Sequence, residues 1–300
     1  METTENNNGK IAVTGATGHL GRLIIEKLID RGVRPDNIVA FARDLDRAAD
    51  LAELGVELRN ADYSKPETLK AALDGVETLM LVSSSEVGQR FAQHKNVIDA
   101  AKNVGVSRIV YTSVLKAETA KMMLAAEHKA TEEMLKTSGI PNTILRNGWY
   151  IENYTESLGP VLEHNAVLGS AGEGKVSAAT RADYAAAAAE VLTSTGHDGK
   201  TYELGGDAFT LAELASEVGR SAGREIAYKD LPADEYAKVL ETSGLPRAYA
   251  EVLADSDLGI ARGELFTTSD DLKKLIGRPT TKLSAAVRDA LEPKANVKGA

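Results

Sequence analysis

The chain has 300 residues, 43% of them apolar, enough for a substantial core and for about two domains or one domain with a large extension. Its net charge is −9 with no basic block, which argues against nucleic acid as a principal partner. It contains no cysteine, which excludes disulfides, thiol catalysis and thiolate metal sites.

Residues 1–9 are polar and Asn-rich, with no apolar core like that of a signal peptide, and are expected to form a disordered leader. No apolar run approaches the ~18 residues of a helical membrane span. Membrane insertion is therefore not expected, and a cytoplasmic location is. Lys10 to Thr14 then forms a short apolar, partly β-branched run. It enters Gly15-Ala16-Thr17-Gly18-His19-Leu20-Gly21, after which Leu20, Leu23, Ile24, Leu28 and Ile29 share one helical face. Glycines in such a strand-to-helix turn permit a tight bend, close approach of backbone to a pyrophosphate, and close packing of helix on sheet. The helix N-terminus turns its free N–H groups and positive dipole end toward the phosphates. The stretch reads as a dinucleotide-binding turn, the bland alternative being an ordinary βα connection.

Strand and helix patterns continue to alternate. Asn37 to Ala42 predicts a second strand, Leu45 to Leu54 a helix stopped at Gly55, and Val56 to Arg59 a third strand. Pro66 to Leu73 predicts a helix. Thr78 to Val82 predicts a fourth strand, apolar enough to be covered on both faces. Gln89 to Val104 reads as helix, Arg108 to Thr112 as strand, Ala120 to Thr137 as helix, and Thr143 to Leu145 as a sixth strand. Repeated βα units of this length imply an α/β fold of the Rossmann type, a doubly wound parallel sheet. Beyond Arg146 the rhythm changes. Asn153 to Glu163 suggests a helix, Val167 to Val176 a Gly-rich loop, Arg181 to Leu192 an alanine-rich helix, and Lys200 to Leu204 one more strand. Thr210 to about Leu291 reads as mostly helical, with breaks at Gly223, Pro232, Gly244 to Pro246, Gly259, Gly263 and Gly277 to Pro279. The expected division is a nucleotide-binding domain over 10–150, rejoined by 178–206, and a smaller substrate-binding cap over 151–177 and 207–300.

The second strand ends at Arg43, where an enzyme selective for NADH usually carries a carboxylate. An arginine fork there suits a 2′-phosphate, so NADPH is favoured, although a solvated loop arginine is the alternative. Asp62 follows the third strand, where it could accept from the adenine amino group or simply make a turn. Ser83, Ser84 and Ser85 follow the fourth strand at the carboxyl edge where ligands gather; a serine-rich helix entry is the plain reading. Arg146-Asn147-Gly148-Trp149-Tyr150 follows the sixth strand and holds the only tryptophan. Its polar and aromatic groups could cradle a nicotinamide and stack on a flat acceptor, or Trp149 could be core.

None of the nine tyrosines has lysine four residues later, so the Tyr-x-x-x-Lys pair that protonates a developing alkoxide is missing. In the corresponding helix, His128 stands as a weak candidate proton donor or as a buried structural histidine. Reduction of an ordinary ketone is thereby disfavoured. A quinone is already electrophilic and its reduced anion is delocalised, so it asks for a positioned nicotinamide more than for a strong acid. The five histidines are scattered without His-Glu-x-x-His spacing, no metal site is expected, and no Gly-x-Ser-x-Gly elbow is present.

Taken together, Gly15 to Gly21, Val82 to Arg90, Arg146 to Tyr154, Ala179 to Ala185, Ala254 to Gly259 and Leu275 to Thr281 resemble the NmrA-like group of atypical short-chain dehydrogenases. Within that group the nearest resemblance is to the bacterial type-2 NAD(P)H:quinone oxidoreductases, then to the triphenylmethane reductases. The resemblance spans about residues 10–290. It implies NADP(H) held by Gly15 to Leu20, by Arg43, by Ser83 to Ser85, and by Asn147, Gly148, Trp149, Tyr150, Ile151 and Glu152. It also implies flavin-free, two-electron hydride transfer to a quinone, with Asn147 and His128 as the candidates nearest the chemistry. A reductase of other electrophilic dyes, or a redox sensor that binds NADP(H) without turnover, is the alternative. The polar leader departs from the group, as does Lys116, where a histidine is expected. The resemblance leaves the oligomeric state open.

Overall fold

A computed structural model of the chain describes residues 9–292; the leader anticipated at 1–9 lies, Gly9 apart, outside the described residues. The first half alternates β1 (Lys10–Val13), α1 (His19–Asp30), β2 (Ile38–Ala42), α2 (Ala49–Glu53), β3 (Glu57–Asn60), α3 (Pro66–Ala72), β4 (Val76–Leu81), α4 (Arg90–Val104), β5 (Arg108–Val114), α5 (Met123–Thr137) and β6 (Asn142–Asn147). Then follow α6 (Glu152–Thr155), α7 (Leu158–His164), β7 (Ala166–Gly169), β8 (Lys175–Val176), α8 (Arg181–Thr193) and β9 (Thr201–Leu204). The chain closes with β10 (Phe209–Thr210), α9 (Leu211–Ala222), β11 (Ala227–Asp230), α10 (Ala233–Thr242), α11 (Arg247–Ala261), α12 (Asp271–Ile276) and α13 (Leu283–Leu291).

Seven strands form one parallel sheet in the order β3-β2-β1-β4-β5-β6-β9. This is the Rossmann-like α/β architecture that the alternating pattern predicts. Apolar side chains cover both faces. Ile24, Ile25 and Leu28 of α1 are fully buried on one, with Ala185, Ala188 and Ala189 of α8 beside them. Their burial contributes about 1.5–3 kcal/mol for each large side chain, and the alanines let α8 lie close against α1. Leu69, Val97, Ile98 and Leu135 cover the other face. A third cluster joins Leu115, Ile151, Leu158, Phe209, Leu214 and Ile260, drawn largely from the second half of the chain.

Four details differ from the sequence reading. The stretch 167–176 is not a continuous loop: β7 pairs in parallel with β11, and β8 antiparallel with β10. Strands of two to four residues with distant partners leave no local periodicity to read. Gly259 does not break α11 but lies buried inside it. The helix expected over 45–54 is a 3₁₀ turn followed by the five-residue α2. The helix expected over 153–163 divides into α6 and α7.

Candidate active site

The strand order reverses between β1 and β4, and no crossover covers the carboxyl edge there. A cavity of about 580 Å³ opens at that point, lined from the carboxyl ends of β1 to β6 and by Leu124, Tyr249, Val252 and Leu253. Gly15 adopts φ +60°, a left-handed conformation that glycine takes without strain, and its carbonyl accepts from Gly18 N–H at 2.9 Å. A Cβ on Gly21 would fall 2.3 Å from the Gly15 carbonyl oxygen, so α1 is seated directly on the turn. Gly18 is the N-cap of α1 and brings no side-chain acceptor, which leaves the first-turn N–H groups facing the cavity for an anion. Gly15, Thr17, Gly18, His19, Leu20 and Gly21 line the cavity. Ala16 does not; it is buried, and its N–H donates to Phe41 O at 3.2 Å.

Arg43 stands exposed at the end of β2 and forms an ion pair of 2.8 Å with Glu86 across the cavity mouth. Asp44 turns away, its Oδ1 accepting from Asp46 N–H at 3.1 Å. Asp62 lines the cavity while its Oδ1 accepts from Ser64 N–H at 2.9 Å, so it shapes the turn and also faces the cleft. Beside it, Tyr63 donates to Val82 O at 2.8 Å, and burial holds its phenol well above the ordinary range.

Ser83, Ser84 and Ser85 all line the cavity. Their loop is held from behind by groups on β5 and on helix α4. Ser83 N–H donates to Thr112 Oγ1 at 2.8 Å and Ser84 N–H to His94 Nε2 at 2.9 Å. His94 is therefore an acceptor at Nε2 and carries its proton on Nδ1, which meets Thr131 Oγ1 at 3.0 Å. Burial, with Arg90 nearby, brings the His94 imidazole down to about 3, so it stays neutral. Arg90 completes the support, reaching Ser84 O at 2.7 Å and Glu127 at 3.0 Å.

At the end of β6, Asn147 is 4% exposed and its Oδ1 is buried without a hydrogen-bond partner. A buried amide oxygen left unpaired costs about 1–3 kcal/mol, and a ligand N–H at this cavity wall would satisfy it. Gly148 fits because a Cβ there would lie 2.3 Å from Ser177 O. Trp149 both lines the cavity and packs on the third core cluster. Tyr150 lines it too, its ring 5.2 Å from the Arg181 guanidinium. Ile151 and Glu152 stand off the cavity. Ile151 is core, and Glu152 Oε1 accepts from Arg181 N–H at 2.8 Å while burial raises its carboxyl above the ordinary range.

His128 lines the cavity and is 4% exposed. Its Nδ1 lies 2.7 Å from the Tyr111 hydroxyl, and burial, with Arg90 and His94 adding, pushes its pKa well below the ordinary value. It is thus a neutral imidazole at physiological pH, not an imidazolium acid. The sequence reading did not single out Ser113, at the carboxyl end of β5, although the edge rule applied to Ser83 extends to it. Ser113 donates to Glu132 at 2.6 Å, and Glu132 is clamped by Nε and Nη2 of Arg146 at 2.9 and 2.6 Å, so toward the cavity this serine can only accept. Tyr249 and Leu253 carry no local signal at all, because α11 reaches the cleft only through the tertiary fold. Lys116 is not on the cavity: its backbone has φ +52° and its Nζ donates to Gly263 O at 2.8 Å.

Among the described residues no group of three or more His, Cys, Asp or Glu is placed to hold a metal ion, and no helix is long and apolar enough to cross a membrane. The NmrA-like family pattern matches residues 7–288. The chain is 52% identical to quinone oxidoreductase 2 of Escherichia coli, over 92% of this chain and 97% of that one. It superposes on the NADPH-dependent quinone oxidoreductase of Escherichia coli, solved with NADPH, with a TM-score of 0.90 over 93% of this chain and 99% of that one at 51% identity. The triphenylmethane reductase of Citrobacter sp., solved with NADP(H), is 39% identical with a TM-score of 0.88, over 94% of this chain and all (100%) of that one. With the glycine turn, the switch-point cavity and this match along nearly its whole length, the chain belongs to the NmrA-like family.

Proposed function

We propose that this protein is an NADPH-dependent quinone oxidoreductase that transfers two electrons as one hydride without a flavin. The observation that carries the reading is the 52% identity to a quinone oxidoreductase along almost the full length of both chains, joined to a cavity whose lining suits a dinucleotide. The glycine turn and the first N–H groups of α1 hold the pyrophosphate, and Arg43 takes the 2′-phosphate. Asp62 faces the adenine, and the serine loop meets the sugars. The unpaired Oδ1 of Asn147 accepts from the nicotinamide carboxamide. Ala16 contributes packing, and Ile151 and Glu152 brace the Trp149-Tyr150 wall from behind.

Bound there, NADPH supplies the hydride. The protein orients it, keeps bulk water from the reacting face, and offers a hydrogen bond where charge develops. With Tyr111 donating to His128 Nδ1, the ring proton resides on Nε2, and a neutral N–H is presented to the quinone oxygen. The proton that completes the hydroquinone comes from water. Trp149 and Tyr150 give the cavity an aromatic lining, and Tyr249, Val252 and Leu253 of α11 add apolar surface, a lining that suits a flat ring. In this reading residues 151–177 and 207–292 form the substrate-binding cap over a nucleotide-binding body. We assign the protein to the cytoplasm, the compartment that maintains a reduced nicotinamide pool. Turnover is preferred to a purely sensing role because the 52% identical relative is an oxidoreductase. Steady-state assays with NADPH and a panel of benzoquinones, triphenylmethane dyes and simple ketones test the substrate class. Saturable turnover of quinones and none of ketones is expected; ketone reduction at comparable rates would overturn the reading.

A further inference from the structure

Arg43 does not stand free at the place proposed for the 2′-phosphate. Its Nη1 pairs with Glu86 Oε1 at 2.8 Å, and the other carboxylate oxygen, Oε2, accepts from Gln93 Nε2 at 2.7 Å. Gln93 is 4% exposed and is fixed in turn by Ser64 Oγ at 3.0 Å and by the Ser84 hydroxyl. Glu86 is thus a carboxylate anchored from behind and aimed across the cleft from the β4 exit toward the β2 exit. All three side chains line the cavity. A dianionic 2′-phosphate and the Glu86 carboxylate compete for the same guanidinium and repel each other. A ribose with a free 2′-hydroxyl meets the opposite situation, because a carboxylate accepts from vicinal hydroxyls in the way the acid of an NADH-selective site does.

We propose that Glu86 is the residue that sets the balance between NADPH and NADH, restraining the first and admitting the second. The inference rests on the nucleotide-binding reading above, and its test separates the two. Dissociation constants for NADPH and NADH are measured by fluorescence titration on the wild type, Glu86→Gln, Arg43→Ala and the double variant, each checked for an unchanged melting transition. Glu86→Gln preserves shape and neutral hydrogen bonding to Gln93 while releasing Arg43. NADPH binding should tighten about threefold to fivefold, the scale of an exposed ion pair. NADH binding should weaken about tenfold, the low end of the scale of a lost charge-assisted hydrogen bond. In the Arg43→Ala background the gain for NADPH should shrink to the part owed to relieved carboxylate–phosphate repulsion, since no guanidinium remains to be released. Glu86→Asp, which draws the carboxylate back by one methylene, should move the ratio the same way by less, and it serves if the glutamine variant does not fold. A parallel loss for both nucleotides in Glu86→Gln would make Glu86 merely part of the loop scaffold and overturn the proposal. Wild-type protein that binds neither nucleotide would overturn both this proposal and the reading beneath it.

Discussion

His128 stands on the helix that would carry the Tyr-x-x-x-Lys pair of a short-chain carbonyl reductase, in the neighbourhood of its lysine, yet everything around it opposes protonation. Burial, Arg90 and His94 all disfavour the imidazolium. The turnover rate with a quinone should therefore stay flat from about pH 5.5 to 8, because a neutral imidazole donor has no proton to lose in that range. A rate that falls as pH rises through about 6.5 would mean that His128 acts as an imidazolium acid after all. Tyr111→Phe removes the hydroxyl that sets the ring tautomer. It should lower kcat about tenfold and leave KM for the quinone nearly unchanged, the pattern of an interaction felt mainly in the transition state. At the other end of the cleft, Arg43→Ala should weaken NADPH about tenfold to a hundredfold, the scale of charge-assisted pairing with phosphate, and NADH far less. Equal losses for both would remove the 2′-phosphate from this site.

The glycine turn and α1 show how much one element settles. An added Cβ at position 18 would meet Gly15 O at 3.2 Å, a tight but tolerable approach, whereas at position 21 it would meet the same atom at 2.3 Å. Gly18→Val should thus keep the fold, with melting shifted by only a few degrees, while blocking the pyrophosphate. Gly21→Ala should lower stability by about 1–3 kcal/mol by forcing α1 off the sheet. Thermal melts together with NADPH titration separate the two, and equal melting temperatures would contradict this assignment of the two glycines. The Gly-rich motif, its flanking strand and the apolar face of α1 are all local, which is why this half of the site is legible in the sequence. Arg43, the serines and Asn147 are legible for a related reason, since each follows directly from a recognisable strand. Glu86, Arg90 and Gln93 lie close to such positions, but their partners come from other elements and no spacing rule announces them, whereas Ser113 follows the same strand-edge rule as Ser83. The strands β7, β8, β10 and β11 are legible to no local rule, because each exists only through a distant partner.

Where β7 meets α11, burial lifts the Asp257 carboxyl to about 7 while Asp230 adds repulsion; Ser170 N–H donates to its Oδ2 at 2.8 Å. The folded state binds this proton more tightly than the unfolded chain. Stability from it is full below the unfolded value of 3.8 and is lost as pH rises through about 7. Asp257→Asn keeps an acceptor for Ser170 and cannot ionise, so it should stabilise the protein by up to about 4 kcal/mol near pH 8.5 and by little near pH 4. A variant no more stable than wild type at the higher pH would show that the carboxylate is well solvated.

At the scale of the whole molecule, the alternation of strand and helix implies a doubly wound sheet, and the order β3-β2-β1-β4-β5-β6-β9 places its reversal at the glycine turn. That topology brings six strand ends to one cavity, and the second half of the chain closes it with α11. The far wall is the part that sequence periodicity conveys least, since Tyr249, Val252 and Leu253 sit on an ordinary amphipathic helix whose docking is decided by the tertiary fold. The central claim is direct hydride transfer from NADPH to a quinone in this cavity. A single-turnover experiment tests it most directly: flavin-free protein loaded with NADPH is mixed with benzoquinone, and the loss of reduced-nicotinamide absorbance is followed with ordinary and with C4-deuterated NADPH. One oxidation phase, equimolar with the quinone reduced, faster than the uncatalysed reaction and slowed by the deuterium, is the expected result. Tight NADPH binding with no oxidation above the uncatalysed rate would contradict the reductase and leave a protein that senses the nucleotide without consuming it.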